Sequence, residues 1–164
     1  MLFSIVMPTM NSQKYLKETI NSIESQAYKN IELIVVDKNS KDNTLNIIKK
    51  SNIKNIKIIE QKDDTPERAV AKGFKNASGD FIQFLGSDDV LHDILSFQKI
   101  ANNVDKFKDM ILYMNYLHID KHSNVLKEFN PKFNYKKILN DHNYISATSF
   151  LVNKKLFQKF DFDG

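Results

Sequence analysis

Cysteine is absent from the 164 residues, which removes disulfide frameworks and thiolate metal sites and leaves no mark of an oxidising compartment. Arginine is nearly absent as well, with Arg68 the only one. The formal net charge of +4 therefore rests on lysines spread from Lys14 to Lys159 among acidic residues. A nucleic-acid binder concentrates its basic groups and interleaves arginine or aromatics, so this scatter reads as a solvated surface with no nucleic-acid partner. The weaker alternative is attraction to anionic lipid headgroups, worth ~1 kcal/mol per well-placed lysine. No apolar run approaches the ~20 residues of a membrane helix, and Met1–Pro8 lacks the basic region and cleavage site of a signal peptide. The expected location is the cytoplasm, with any membrane contact peripheral, at the inner face. Low-complexity stretches, repeats and flexible linkers are also missing. A single domain over 1–164 is expected, long enough to bury about 68–70% of its unfolded surface.

What is present in the first 90 residues is an alternation of β-like and helix-like patterns, which predicts an α/β fold with parallel strands joined by crossover helices. Strands are expected at about Leu2–Met7, Ile31–Val36, Ile56–Glu60 and Phe81–Leu85. Between them, Leu16, Ile20 and Ile23 share one face of a helix from near Ser12 to Gln26, capped by Asn11 or Ser12. Leu45, Ile47 and Ile48 mark a second helix. A third runs from about Glu67 to Asn76 and is closed by Ala77-Ser78-Gly79, with the glycine suited to a left-handed cap. Beyond residue 90 the pattern is mixed. A helix is expected over Ile94–Val104, strands over Met110–Ile119 and Val125–Phe129 with a turn at Asp120–Asn124, a further strand over Ser146–Val152, and a short helix at Lys154–Phe160.

Three apolar runs release polar groups at their carboxyl ends, where ligands bind in open α/β sheets. The first ends in Pro8-Thr9-Met10-Asn11, the second in Asp37, and the fourth passes through Gly86-Ser87 into Asp88-Asp89. Asp37 could accept a hydrogen bond from a base N–H or a ribose hydroxyl. Mg²⁺ or Mn²⁺ held by Asp89 could bridge a diphosphate, since these hard cations take one or two carboxylates and complete their shell with phosphate and water.

In order and spacing, three segments together resemble the family 2 glycosyltransferases of GT-A fold: Ser4–Asn11, Glu32–Asp37 with Ser40 and Asp42, and Ala77–Asp89. The likeness covers residues 2–90 well and the remainder loosely. It implies a Rossmann-like three-layer α/β/α domain with a mostly parallel central sheet, residues 1–90 forming a nucleotide-sugar-binding half and 91–164 a partial acceptor-side half. It also implies inverting transfer of a sugar from a nucleotide-diphosphate donor, with a UDP-sugar favoured, to a glycan or lipid-linked acceptor hydroxyl, in surface polysaccharide or glycoconjugate synthesis. By that likeness Pro8, Thr9, Asn11 and Asp37 surround the nucleoside, Asp63, Arg68 and Lys72 border the base or diphosphate, Asp88 meets ribose or sugar, and Asp89 ligates the metal. Phe160–Gly164 resembles the segment preceding the family's catalytic carboxylate, so the base is expected beyond Gly164. Gly86 stands where many relatives carry Asp or Asn.

Plainer readings stand beside these. An adjacent aspartate pair is more often a solvated turn or cap than a metal site. Asp37, Thr9 and Asn11 could be turn and cap residues, and Arg68 and Lys72 a basic solvent face. His92, His118, His122 and His142 have no tight ligand spacing, which favours surface or structural roles. The competing function is a truncated or noncatalytic nucleotide-sugar-binding domain. Nucleotidyltransferase and nicotinamide-binding readings are disfavoured because no glycine-rich phosphate-cradling loop follows the first strand.

Overall fold

The computed structural model describes residues 1–62, 65–107, 111–120, 122, 124–129 and 147–158. Four strands, β1 (Phe3–Thr9), β2 (Ile31–Asp37), β3 (Asn55–Glu60) and β4 (Phe81–Phe84), alternate with helices α1 (Leu16–Glu24), α2 (Thr44–Lys49) and α3 (Pro66–Lys75). There follow α4 (Ser96–Ala101), α5 (Val104–Phe107), β5 (Ile111–Tyr113), β6 (Tyr116–Ile119), β7 (Val125–Phe129), a 3₁₀ turn (Ala147–Ser149), β8 (Phe150–Asn153) and α6 (Lys154–Phe157). The main sheet has the order β3-β2-β1-β4-β8-β5, and β6 pairs with β7 alone. β1 to β4 are parallel, while β8 runs antiparallel to both β4 and β5.

The strand residues alternate between two apolar layers. On one face Val6, Ile34, Val36 and Ile82 pack with Ala69 of α3 and with Ala77. On the other, Phe3, Ile5, Met7, Leu33 and Val35 pack with Leu16, Ile20 and Ile23 of α1, Ile48 of α2, and Phe97 and Ile100 of α4. The expected three-layer architecture is therefore present. Burial of one such side chain stabilises the fold by roughly 1.5–3 kcal/mol, which accounts for continuous β-branched runs in strands covered on both faces. α3 lies so close to the sheet that a Cβ on Gly73 would stand 2.2 Å from Val6 Cγ1.

Several expected boundaries move, each for a local reason. α1 begins at Leu16, and neither Asn11 nor Ser12 caps it, because the Ser12 N–H bonds Thr44 Oγ1 and the Gln13 N–H bonds Asp42 Oδ2 across the sheet edge. α3 starts at Pro66 with Thr65 as its cap. No described glycine has positive φ. α3 is closed by Asn76 and not by Gly79, whose N–H is held by Ser4 Oγ and Glu32 Oε1 in the turn into β4. The single strand expected over Met110–Ile119 divides into β5 and β6 because its two parts take different partners: Ile111–Tyr113 pairs with β8, a ladder the Met114 N–H extends to the Ser149 carbonyl, whereas Tyr116–Ile119 pairs with β7. The helix expected over Ile94–Val104 is α4 followed by α5, and the strand expected from Ser146 begins at Phe150.

Candidate functional site

β1 sits between β2 and β4, so successive strands build outward on one side of β1 and then on the other. Such a switch point opens a crevice at the carboxyl ends of the two central strands. The loops after β1, β2 and β4 meet there.

Asp37 ends β2 and is only 1% exposed. Its Oδ1 accepts the hydroxyls of Thr9 at 2.8 Å and Ser40 at 2.6 Å, and its Oδ2 accepts the Ser40 N–H at 2.9 Å. A carboxylate offers about four acceptor positions, so these contacts leave one direction open. Ser40 Oγ in turn accepts the Asn11 N–H, and Asn11 Oδ1 accepts the Lys41 N–H, each at 2.9 Å. Asn11 and Asn39 adopt φ of 50° and 51°, the left-handed region that asparagine enters more readily than other non-glycine residues. Thr9, Asn11 and Asp37 therefore form one bonded network linking two loops. Pro8, half-buried on the α3 side of β1, lies where β4 pairing has already ended at Val6, so its missing N–H interrupts no ladder.

The β4 loop joins this network through Ser87, whose hydroxyl is 2.8 Å from Ser12 Oγ and whose carbonyl accepts Thr19 Oγ1 at 3.0 Å. Asp88 is exposed and Asp89 half-buried. Both carboxylates converge over Gly86, where an added Cβ would lie 2.6 Å from Asp89 Oδ2 and 3.1 Å from Asp88 Oδ1. Burial, together with the neighbouring Asp88 charge, holds the Asp89 carboxyl above its ordinary pKa. The Gly86 N–H, the Thr148 hydroxyl and the nearby His118 offset this only in part. A site that penalises its own negative charge is one that a cation relieves.

Lys72 reaches the adjoining edge, its Nζ donating to the Glu60 carbonyl at 3.0 Å. Arg68 is exposed one turn earlier on α3. Asp63, like Asp161 and Asp163, lies outside the described residues. Three residues at the site carry no signal of their own in the sequence: Thr148, His118 and Gln83. Gln83 is 1% exposed, and its Nε2 donates to the Thr148 carbonyl at 3.3 Å. Thr148 thus links a buried amide in β4 to the carboxylate above it. No pattern in the sequence announces a bond between residues 59 positions apart.

The sequence profile described as Glycosyl transferase family 2 matches residues 4–160. The chain belongs to that family. An uncharacterized glycosyltransferase of Rickettsia prowazekii is 35% identical over 167 residues, which cover 96% of this chain and 52% of that protein. The poly(ribitol-phosphate) β-N-acetylglucosaminyltransferase TarS of Staphylococcus aureus is 37% identical over 97 residues, 56% of this chain and 17% of TarS. The crystal structure of S. aureus TarS 1–349 in complex with UDP-GlcNAc has a TM-score of 0.79 at 25% identity, covering 97% of this chain and 47% of that one. The GT-A fold of this family 2 glycosyltransferase is thereby shown, and the chain spans about half the length of the first curated relatives. Among the described residues, no helix is long and apolar enough to cross a membrane. No group of three or more His, Cys, Asp or Glu side chains forms a closed metal cage among them either.

Proposed function

We propose that this family 2 glycosyltransferase chain binds a nucleoside-diphosphate sugar at the β1–β4 crevice and transfers the sugar, with inversion, to a hydroxyl of a glycan or lipid-linked acceptor. The convergence of Asp88 and Asp89 beside the Thr9–Asp37 network carries this reading. A UDP-sugar is the favoured donor, supported by the likeness to TarS bound to UDP-GlcNAc. Pro8, Thr9, Asn11 and the open acceptor direction of Asp37 face the nucleoside. Lys72, with Arg68 and Asp63, borders the base or diphosphate, and Asp88 faces the ribose or sugar.

The donor set fits a hard divalent cation that completes its shell with phosphate and water: two carboxylates converge, and the half-buried one favours neutralisation. Asp89 would hold Mg²⁺ or Mn²⁺ with Asp88 beside it, and the ion would offset charge on the departing diphosphate. The protein's own part is to keep Asp89 in place through the Gly86 N–H and Thr148 hydroxyl and to orient the nucleoside. On this reading the base that takes the acceptor proton is a carboxylate outside the described residues. The role we assign is in surface polysaccharide or glycoconjugate assembly, in the cytoplasm or at the inner membrane face.

The test is calorimetric titration of the chain with UDP, GDP and UDP-sugars, with and without Mn²⁺, followed by a donor-hydrolysis assay. Mn²⁺-dependent binding that disappears in Asp89→Ala is expected. Retention of the full metal dependence in that variant would remove Asp89 as ligand, and binding without turnover would favour a donor-binding module over a complete enzyme.

A further inference from the structure

Between the end of β4 at Phe84 and the start of α4 at Ser96, the chain carries the aspartate pair with no helix or strand of its own. Polar backbone groups along this stretch are engaged instead by α1 and the residues just past it. The Thr19 hydroxyl donates to the Ser87 carbonyl at 3.0 Å, and Ser22 Oγ accepts the Leu91 N–H at 3.1 Å. Gln26 Nε2 donates to the Asp93 carbonyl at 3.1 Å, and the Ala27 N–H to the Ile94 carbonyl at 2.8 Å. The loop is thus sewn along α1 in sequence order. Thr19 and Ser22, three residues apart, share one face of the helix, beside the apolar stripe of Leu16, Ile20 and Ile23 that packs α1 on the sheet.

Thr19 departs from the habit of its residue type. A threonine inside a helix ordinarily turns its hydroxyl to a carbonyl of the preceding turn, whereas the fully buried Thr19 sends its proton across to the residue before the aspartates. The aspartate turn has bonds of its own: the Asp89 N–H meets the Gly86 carbonyl at 3.2 Å, and the Gly86 N–H meets Asp89 Oδ2 at 3.1 Å. Those bonds set the shape of the turn. The Thr19 bond sets where the turn stands against α1.

We propose that Thr19 is a positioning residue for the metal site, the first stitch of a seam on α1 that holds the aspartate loop where a cation is bound. The inference rests on the donor-site reading above, in which Asp89 takes the cation. Two converging carboxylates repel each other in the metal-free protein, which pushes the loop toward arrangements that separate them. A hydroxyl anchored on a helix packed against the sheet opposes that drift and leaves less reorganisation for the cation to drive.

The test measures Mn²⁺ binding in the presence of UDP, and uridine binding without metal, on the full 164-residue chain. Thr19→Val keeps the shape and removes the donor. Its Mn²⁺ affinity is expected to fall about tenfold, while its affinity for uridine, which on the same reading meets the Asp37 side, changes less than about twofold. Thr19→Ser keeps the donor and loses a buried methyl, so its thermal midpoint is expected to fall while Mn²⁺ affinity stays within about twofold, a split that a purely structural role would not produce. The linkage is reciprocal: a seam that favours the cation is held shut by it. On the unsubstituted chain, hydrogen-exchange protection of the Leu91 and Ala27 amides is therefore expected to rise when Mg²⁺ is added to UDP. Unchanged Mn²⁺ affinity in Thr19→Val, an equal loss for uridine or in Thr19→Ser, or unchanged protection of both amides would overturn the role. If the unsubstituted chain took up no Mn²⁺ with UDP, the donor-site reading itself would fail and the role of Thr19 with it.

Discussion

Asp89 combines two opposed demands. Burial and the Asp88 charge raise its pKa above the ordinary 3.8, yet metal ligation needs the ionised form. In the metal-free protein the folded state therefore binds the proton more readily than the unfolded chain, and this group's effect on stability becomes less favourable as pH rises through that raised value. Metal binding has the reverse dependence. Mn²⁺ uptake is expected to release protons, and affinity to fall as pH is lowered through the raised pKa, measurable by calorimetry in buffers of different ionisation enthalpy. Gly86 makes a second residue-scale prediction. A methyl there meets the movable ends of two carboxylates, so Gly86→Ala is expected to weaken Mn²⁺ binding about tenfold or more while leaving the thermal midpoint nearly unchanged. A large loss of stability with intact metal binding would contradict this.

At the scale of elements, the sheet is pinned at the edge opposite the site by Glu32. Burial raises its carboxyl pKa, but hydrogen bonds from the Ser4 hydroxyl, the Ser78 hydroxyl and N–H, and the Gly79 N–H outweigh that and leave it below the ordinary 4.5. The Ser78 contacts measure 2.6 and 2.7 Å, and together these bonds fasten the α3–β4 turn to β1 and β2. A lowered folded-state pKa contributes stability that is present above the unfolded value and lost as pH falls through the folded one. Glu32→Gln is therefore expected to cost about 1–3 kcal/mol in urea unfolding near neutral pH, with a gap from the unsubstituted protein that narrows in acid. A pH-independent gap would point to packing in place of charge.

At the scale of the whole molecule, β8 enters the sheet between β4 and β5 and carries Thr148 to the aspartate loop. The second half of the chain is thus coupled to Asp89 through the Thr148 hydroxyl. Thr148→Val keeps the shape and removes that donor, and Mn²⁺ affinity is expected to fall about tenfold with the circular dichroism spectrum unchanged. Equal affinity would make the contact incidental.

The parallel core, its two apolar layers and the ends of β1, β2 and β4 are legible in the chain itself. The apolar strand and helix patterns act locally, and four strands and three helices repeat them before Asp88. Where local signals compete with distant partners, legibility stops. Asn11 and Ser12 have the chemistry of helix caps, but Asp42, just before α2, and Thr44, its first residue, capture the N–H groups of Gln13 and Ser12 and delay α1. Met110–Ile119 has one continuous β pattern, and only its distant partners, β8 for Ile111–Tyr113 and β7 for Tyr116–Ile119, divide it between two sheets. The sequence by itself determined that the first four strands form and that three of them end in oxygen-bearing side chains, because burial and residue chemistry are properties of short segments. Tertiary structure alone decided that Asp37 is already engaged by three donors, that two carboxylates converge over Gly86, and that Thr148 and His118 arrive from the far half of the chain. Those facts depend on register and strand order, which no window of local sequence contains.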